Sequence, residues 1–233
     1  MTAMIVQTDL ILTLFGASPT QLTIVKQAVN DAVILVAADG GASVSVAAGR
    51  IPDAVVGDMD SILPETRAAI PSDCFHHIAE QDSTDFEKCL RRIKAGAIIA
   101  FGFLGGRIDH ELAACTALVR HPEQICIMVG EEDICFLAPS EFGINLPLGT
   151  RFSLFPMGPV SGTSSGLKYK IDGLAFTPAT QVGTSNEVTG PVSLTFETRQ
   201  MLIILPRETL ADVLQVLAPQ AYALTEQKKE KAI

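Results

Sequence analysis

Residues 32–62 read AVILVAADGGASVSVAAGRIPDAVVGDMDSI. Two apolar runs of strand length sit inside this stretch, and each stops at glycine and aspartate: Asp39-Gly40-Gly41 closes the first, Gly57-Asp58 the second. ASVSVAAG (42–49), between them, has room for a short helix only. Strand, helix and strand with turn residues at each carboxyl end is the unit of a parallel sheet, and unbroken apolar runs imply that the sheet is covered on both faces.

The alternation continues in both directions. LILTLFG (10–16) predicts a strand ending in glycine, and PTQLTIVKQAV (19–29) carries apolar residues at helical spacing. PETRAAI (64–70) and CFHHIAE (74–80) follow the second run, and DFEKCLRRIKAG (85–96) predicts a helix that stops at Gly96. AIIAFGFLGG (97–106) predicts a strand, DHELAACTALVRH (109–121) a helix, and ICIMVG (125–130) another strand. From about Pro147 the texture changes to short segments separated by Gly, Pro, Ser and Thr. RFSLFPM, GLKYKIDGL, VSLTFE and MLIIL all read as strands of an antiparallel sandwich or barrel. A short helix over 206–217 and a frayed polar tail, TEQKKEKAI, close the chain. The turn residues of PSEFGINLP put the boundary near 140–147. The expected fold class is therefore α/β: a mostly parallel α/β unit over 1–143, followed by a C-terminal β-sandwich over 144–233.

Composition narrows the function. Apolar residues make up 48% and charged residues 18% of the 233, which is enough core for a globular fold. The net charge of −9 comes without a Lys/Arg block beyond Lys228, Lys229 and Lys231, so neither a nucleic acid nor an anionic membrane is the expected partner. An acidic protein that binds a polyphosphate needs a metal ion to hold it. The five cysteines, Cys74, Cys89, Cys115, Cys126 and Cys135, are odd in number and form no C-x-x-C, which argues against a disulfide framework and a structural zinc site. Asp9 precedes the first apolar run and the first basic residue is Lys26, the wrong order for a signal peptide. No stretch reaches the ~18 apolar residues of a membrane span, so a cytoplasmic protein is expected.

Ligands of open α/β sheets lie beyond the carboxyl ends of the strands. Asp39, Asp58 and Asp60 all stand where an apolar run has just ended, and Asp109 follows another. In extended chain, Asp58 and Asp60 would face the same side with Cα atoms roughly 6.6 Å apart. At about 5 Å and an effective dielectric near 20 their repulsion is about 3 kcal/mol, and a divalent cation reverses its sign. Oxygen donors without His or Cys suit magnesium. In QDSTDFEKCL (81–90), Thr84 and Glu87 fit a capping box and Asp85 complements the helix N-terminus, which can also receive phosphate. In GFLGGRIDHELA (102–113) the glycines allow close backbone approach, Arg107 offers a fork suited to phosphate, and Asp109 either caps the next helix or ligates the metal. There is no G-x-x-x-x-G-K-[ST], no G-x-G-x-x-G after the first strand and no G-x-S-x-G, so direct transfer through a metal-bound phosphate is simpler than a covalent nucleophile.

Taken in series, ADGGAS (38–43), PDAVVGDMDSI (52–62), QDSTDFEKCL (81–90), GGRIDHELA (105–113), SSGLKYKI (164–171) and GTSNEV (183–188) resemble the thiamine pyrophosphokinase family. The resemblance implies an ATP-binding catalytic domain over 1–143 and a thiamine-binding, dimerising β-sandwich over 144–233. It implies transfer of pyrophosphate from ATP to the hydroxyl of thiamine, giving AMP and thiamine diphosphate. By position, Asp58, Asp60 and Asp85 would bind Mg2+, with Arg107 and Asp109 completing the catalytic set. Asp39, Gly40, Ser61, Thr84 and Gly106 would line the ATP site. Gln81, Tyr169, Ser185 and Asn186 would meet thiamine, and a homodimer would build each thiamine site from both subunits. Two departures stand out: Tyr169 replaces a frequent Trp, and Ser43 a frequent Asn. The alternatives are a pyrophosphokinase for another heterocyclic alcohol, such as a hydroxymethyl-pterin, and a non-catalytic nucleotide-binding protein.

Overall fold

The computed structural model describes residues 3–231. The first half contributes β1 (Val6–Gln7), β2 (Ile11–Phe15), β3 (Ile34–Ala38), β4 (Ala54–Gly57), β5 (Phe75–His77), β6 (Ile93–Lys94), β7 (Ala97–Phe101) and β8 (Cys126–Val129). Helices α1 (Leu22–Asp31), α2 (Gly41–Ala47), α3 (Pro64–Ala69), α4 (Asp85–Leu90) and α5 (Ile108–Arg120) intervene. Six of the strands form a parallel sheet in the order β8-β7-β2-β3-β4-β5, while β1 pairs only with β6.

Side chains of these strands alternate between two apolar layers, as the pleat requires. Ile11, Phe15, Leu35, Phe101 and Val129 pack with α1, while Leu12, Leu14, Val36, Ile98 and Met128 pack with α4 and α5. Each such side chain, buried completely, stabilises the fold by about 1.5–3 kcal/mol. The chain lays down β2, β3, β4 and β5 outward in one direction, then crosses back to place β7 on the other side of β2. The segments leaving β2 and β7 therefore diverge and leave a crevice between the strand ends.

The second half contributes β9 (Asp133–Leu137), β10 (Glu141–Ile144), β11 (Arg151–Pro156), β12 (Val160–Leu167), β13 (Ala175–Phe176), β14 (Thr184–Phe196) and β15 (Met201–Pro206), then α6 (Leu210–Leu217) and α7 (Pro219–Glu230). All its strand pairings are antiparallel, and they join the parallel sheet through β8 and β9. β14 pairs with β11 through residues 184–187, and with β10 and β12 farther along, so one strand serves two sheets.

Several segments differ from their sequence reading. The helix expected over 85–96 ends at Leu90, because Ile93 is needed as a buried strand residue opposite Val6. The strand expected over 97–106 ends at Phe101, because Gly102 turns into the left-handed region at φ +74°. GLKYKIDGL is not a strand: β12 ends at Leu167, after a register shift at Gly166 (φ +73°). PSEFGINLP carries β10 rather than a plain turn. The described part of the polar tail is helical in α7, where Thr225 is 3% exposed and its hydroxyl accepts from Ile11 N–H at 2.8 Å. Among the described residues no helix is long and apolar enough to cross a membrane.

That last bond ties α7 to the sheet. Thr225→Val keeps the side chain's shape and leaves the buried Ile11 N–H unpaired, so stability should fall by about 1–3 kcal/mol. Equilibrium urea unfolding checks this; an unchanged midpoint would show that the bond contributes nothing.

Candidate active site

A cleft of about 480 Å³ opens at the carboxyl ends of the parallel strands. Gly16, Ala17 and Ser18 follow β2, Asp39 and Gly40 follow β3, Asp58 and Ser61 follow β4, and Gly102 and Phe103 follow β7. α4 adds its cap Thr84, Asp85 and Lys88, and the start of α5 adds Arg107 and His110. A second cavity of about 400 Å³, between α1 and the C-terminal helices, is lined by none of the predicted site residues.

One carboxylate oxygen from each of Asp39, Asp58 and Asp60 lies within 4.8 Å of the others. The convergence arises differently from the extended geometry expected. β4 has already ended at Gly57, and Met59 sits in the left-handed region at φ +66°, so a turn swings Asp60 back. Asp39 is left-handed too, at φ +42°. These are the only non-glycine residues with positive φ among those described, and such conformations persist only where surroundings enforce them. Gly57 permits the approach: a Cβ there would stand 2.8 Å from the Asp39 Cβ and 3.0 Å from Asp85 Oδ1.

The four carboxylates differ in environment. Asp39 is 3% exposed; its Oδ2 accepts from Ser61 N–H at 3.2 Å, whereas Oδ1 is buried without a hydrogen-bond partner. Burial raises its proton affinity above the ordinary carboxylate range, Ser61 opposes this, and the nearby Asp85, Asp58 and Asp60 add to it. Asp58 goes the other way, lowered chiefly by Gln81 Nε2, which donates to its Oδ2 at 3.0 Å. Asp60 accepts from the Ser61 hydroxyl at 2.8 Å. Asp85 is raised by burial, against the pull of Lys88, whose Nζ is 3.0 Å from its Oδ1. An unpartnered buried oxygen beside two further carboxylates is an all-oxygen donor set of the kind hard divalent cations take. Asp85, expected among the metal ligands, is adjacent but bonded to Lys88 and outside the group of three.

Lys88 had no role in the sequence reading. It is 2% exposed, lines the cleft, and also lies 3.7 Å from Asp58 Oδ2. Burial disfavours its charge, yet Asp85, Asp58 and Glu80 hold its pKa above the ordinary value. The signal was available: with Thr84 as the cap, Lys88 falls one helical turn beyond Asp85. The capping box forms by half. Glu87 N–H donates to Thr84 Oγ1 at 3.3 Å, but the Glu87 carboxylate turns away to Arg91 at 2.7 Å and to Arg120 and His121, each at 3.2 Å. It thereby binds α4 to the end of α5, which outweighs one terminal N–H.

Other predicted residues divide. Gly40, Ser61, Gln81, Thr84, Gly106 and Arg107 line the cleft. Gly106 N–H is taken by Glu111 Oε1 at 2.8 Å. Asp109 neither caps α5, whose cap is Arg107, nor lines the cleft; it is 60% exposed and grips Arg107 at 3.1 and 2.5 Å. Tyr169, Ser185 and Asn186 belong to the C-terminal strands and loops, and none lines the cleft. Ser185 and Tyr169 are exposed, while Asn186 is buried.

Two family models match the chain: "Thiamin pyrophosphokinase, catalytic domain" over residues 25–129 and "Thiamin pyrophosphokinase, vitamin B1 binding domain" over residues 141–203. Among curated proteins, Thiamine pyrophosphokinase 3 of Oryza sativa subsp. japonica is 29% identical over 156 residues, covering 59% of this chain and 58% of the rice protein. Thiamine pyrophosphokinase 2 of Arabidopsis thaliana is 30% identical over 156 residues, with 59% and 58% covered. The chain thus spans about 58% of the length of these curated relatives. Thiamin pyrophosphokinase from Geobacillus thermodenitrificans superposes with a TM-score of 0.70 at 21% identity, over 84% of this chain and 97% of that one. The Candida albicans thiamin pyrophosphokinase gives 0.67 at 18%, over 86% and 92%. These likenesses establish the α/β fold with its mixed sheet.

Lys88 is the buried counter-charge of Asp85 and Asp58. Lys88→Met should cost about 1–3 kcal/mol by leaving both carboxylates uncompensated. In urea unfolding, the Lys88→Met, Asp85→Asn double variant should lose less than the sum of the single variants. Strict additivity would show that the pair carries no coupling.

Proposed function

Because the chain belongs to the thiamin pyrophosphokinase family, we propose that it transfers pyrophosphate from ATP to the hydroxyl of a heterocyclic alcohol, thiamine, releasing AMP. The observation that carries this reading is the convergence of Asp39, Asp58 and Asp60, with the unpartnered Asp39 Oδ1, in a cleft at the switch point of the parallel sheet. Residues 1–143 would serve the nucleotide and residues 144–233 the alcohol.

Asp39, Asp58 and Asp60 would hold a magnesium ion, which when bound lowers the charge on phosphate oxygens and lets a nucleotide enter an acidic cleft. Gly40, Ser61, Thr84 and Gly106 lie along the same cleft and would border the nucleotide. The reaction joins the alcohol oxygen to the β-phosphorus and breaks the bond from that phosphorus to the bridging oxygen of AMP. In-line placement of a neutral alcohol supplies much of the rate. Lys88 Nζ and the Arg107 guanidinium face the cleft and would neutralise charge gathering on the oxygens. Asp109, through its two bonds to Arg107, would fix the angle of that guanidinium. Asp85 lines the cleft, and its raised proton affinity suits it to accept the alcohol proton. Gln81, held on Asp58, would orient the alcohol. Tyr169 and Ser185 are exposed and do not line this chain's cleft, which favours their meeting the alcohol at the cleft of a second copy in a homodimer.

Incubation with ATP, magnesium and thiamine should release AMP and thiamine diphosphate. Asp58→Asn and Asp60→Asn should each lower kcat about 100-fold or more while the circular dichroism spectrum stays unchanged. Release of ADP would identify a different bond broken, and AMP formed with a hydroxymethyl-pterin but not with thiamine would change the acceptor.

A further inference from the structure

The antiparallel register that pairs Leu167 with Val188 brings Tyr169 level with Asn186, but by that point strand pairing has stopped. β12 has already slipped register at Gly166, and its last ladder bond runs from Lys168 N–H to the Glu187 carbonyl at 3.0 Å. Beyond it a side chain stands in for the missing strand. Tyr169 N–H donates to Asn186 Oδ1 at 2.9 Å, and Asn186 Nδ2 donates to the Tyr169 carbonyl at 2.6 Å. Oδ1 also accepts from Glu187 N–H at 3.0 Å. Three of the four hydrogen-bonding valences of the carboxamide are therefore spent on backbone. With 5% of Asn186 exposed, little of it is left to meet a ligand.

The far side of the loop is fixed as well. Ile171 is fully buried and its N–H donates to Ser164 Oγ at 3.0 Å. Between these two anchors the Tyr169 ring stands out, 58% exposed, with Lys168 Nζ 5.9 Å from its centroid. An aromatic ring presented on a rigid base meets a flat heterocycle at small entropic cost.

We infer that Asn186 is a positioning residue of the acceptor site: its amide fixes the backbone of Tyr169 so that the ring is presented to the heterocycle, and it does not bind the heterocycle itself. This rests on the acceptor role given above to Tyr169. Asn186→Asp keeps the size and the accepting oxygen and loses the donor; Asn186→Ala loses both.

Trypsin sites at Lys168 and Lys170 flank the ring, so native-state cleavage there should quicken about tenfold or more in both variants, while cleavage elsewhere stays unchanged. The chain has no Trp and only one other tyrosine, so in a Tyr222→Phe background the emission comes from Tyr169. Thiamine should quench it, and the midpoint should rise about three- to tenfold in Asn186→Asp. In the transfer assay, KM for thiamine should rise by the same factor with KM for ATP and kcat unchanged, and Tyr169→Ala combined with Asn186→Asp should raise KM by less than the product of the single effects. Unchanged cleavage, an unchanged quenching midpoint, or a parent protein whose Tyr169 thiamine fails to quench would each overturn the inference. Quenching without AMP release would leave the positioning role standing and refute the transfer reaction instead.

Discussion

Asp39, Asp58 and Asp85 line one cleft, exposed Asp60 converges on the first two, and one buried ammonium, that of Lys88, stands among them. Burial raises the proton affinity of Asp39 and Asp85, and the neighbouring carboxylates add to it. Much of the surrounding structure serves to hold this arrangement. Gly57 removes the Cβ that would separate Asp39 from Asp85, the turn at Met59 folds Asp60 inward, and Ser61 N–H fixes one oxygen of Asp39 while the other is left unpaired. The parallel sheet supplies the rigid base, since each acidic residue leaves a strand, or a helix packed on one, whose apolar faces are buried on both sides.

Lys88 answers only part of the charge, and the remainder is what the proposed metal ion would meet. A polyanion alone is repelled; one accompanied by a hard cation is not. The Glu87 carboxylate contributes at a distance. By gathering Arg91, Arg120 and His121 it locks α4 against α5, and those two helices present Lys88 and Arg107 to the cleft.

The parallel half was legible because its strands are unbroken apolar runs closed by glycine and aspartate, a pattern with few competing meanings. Asp39, Asp58 and Asp60 could be assigned to one crevice on that ground alone. The path by which Asp60 reaches it could not, since a left-handed methionine has no sequence signature. Tertiary partners decided the other departures. Ile93 left the helix for a buried pairing with Val6, Glu87 left its cap for two arginines and a histidine, and the polar tail gained order from Thr225. GLKYKIDGL alternates like a strand, yet the pairing that would make it one is replaced by the Asn186 side chain. Lys88 passed unnoticed because a lysine in a short helix is ordinarily a solvated one.

The bond between Thr225 and Ile11 joins residues 214 positions apart. It gives the assembly a temporal order. During synthesis β2 emerges early, but α7 cannot cover its beginning until some two hundred further residues have been made. Protection of the beginning of β2 therefore comes late, and until then the nascent chain offers an apolar surface of the kind that chaperones retain.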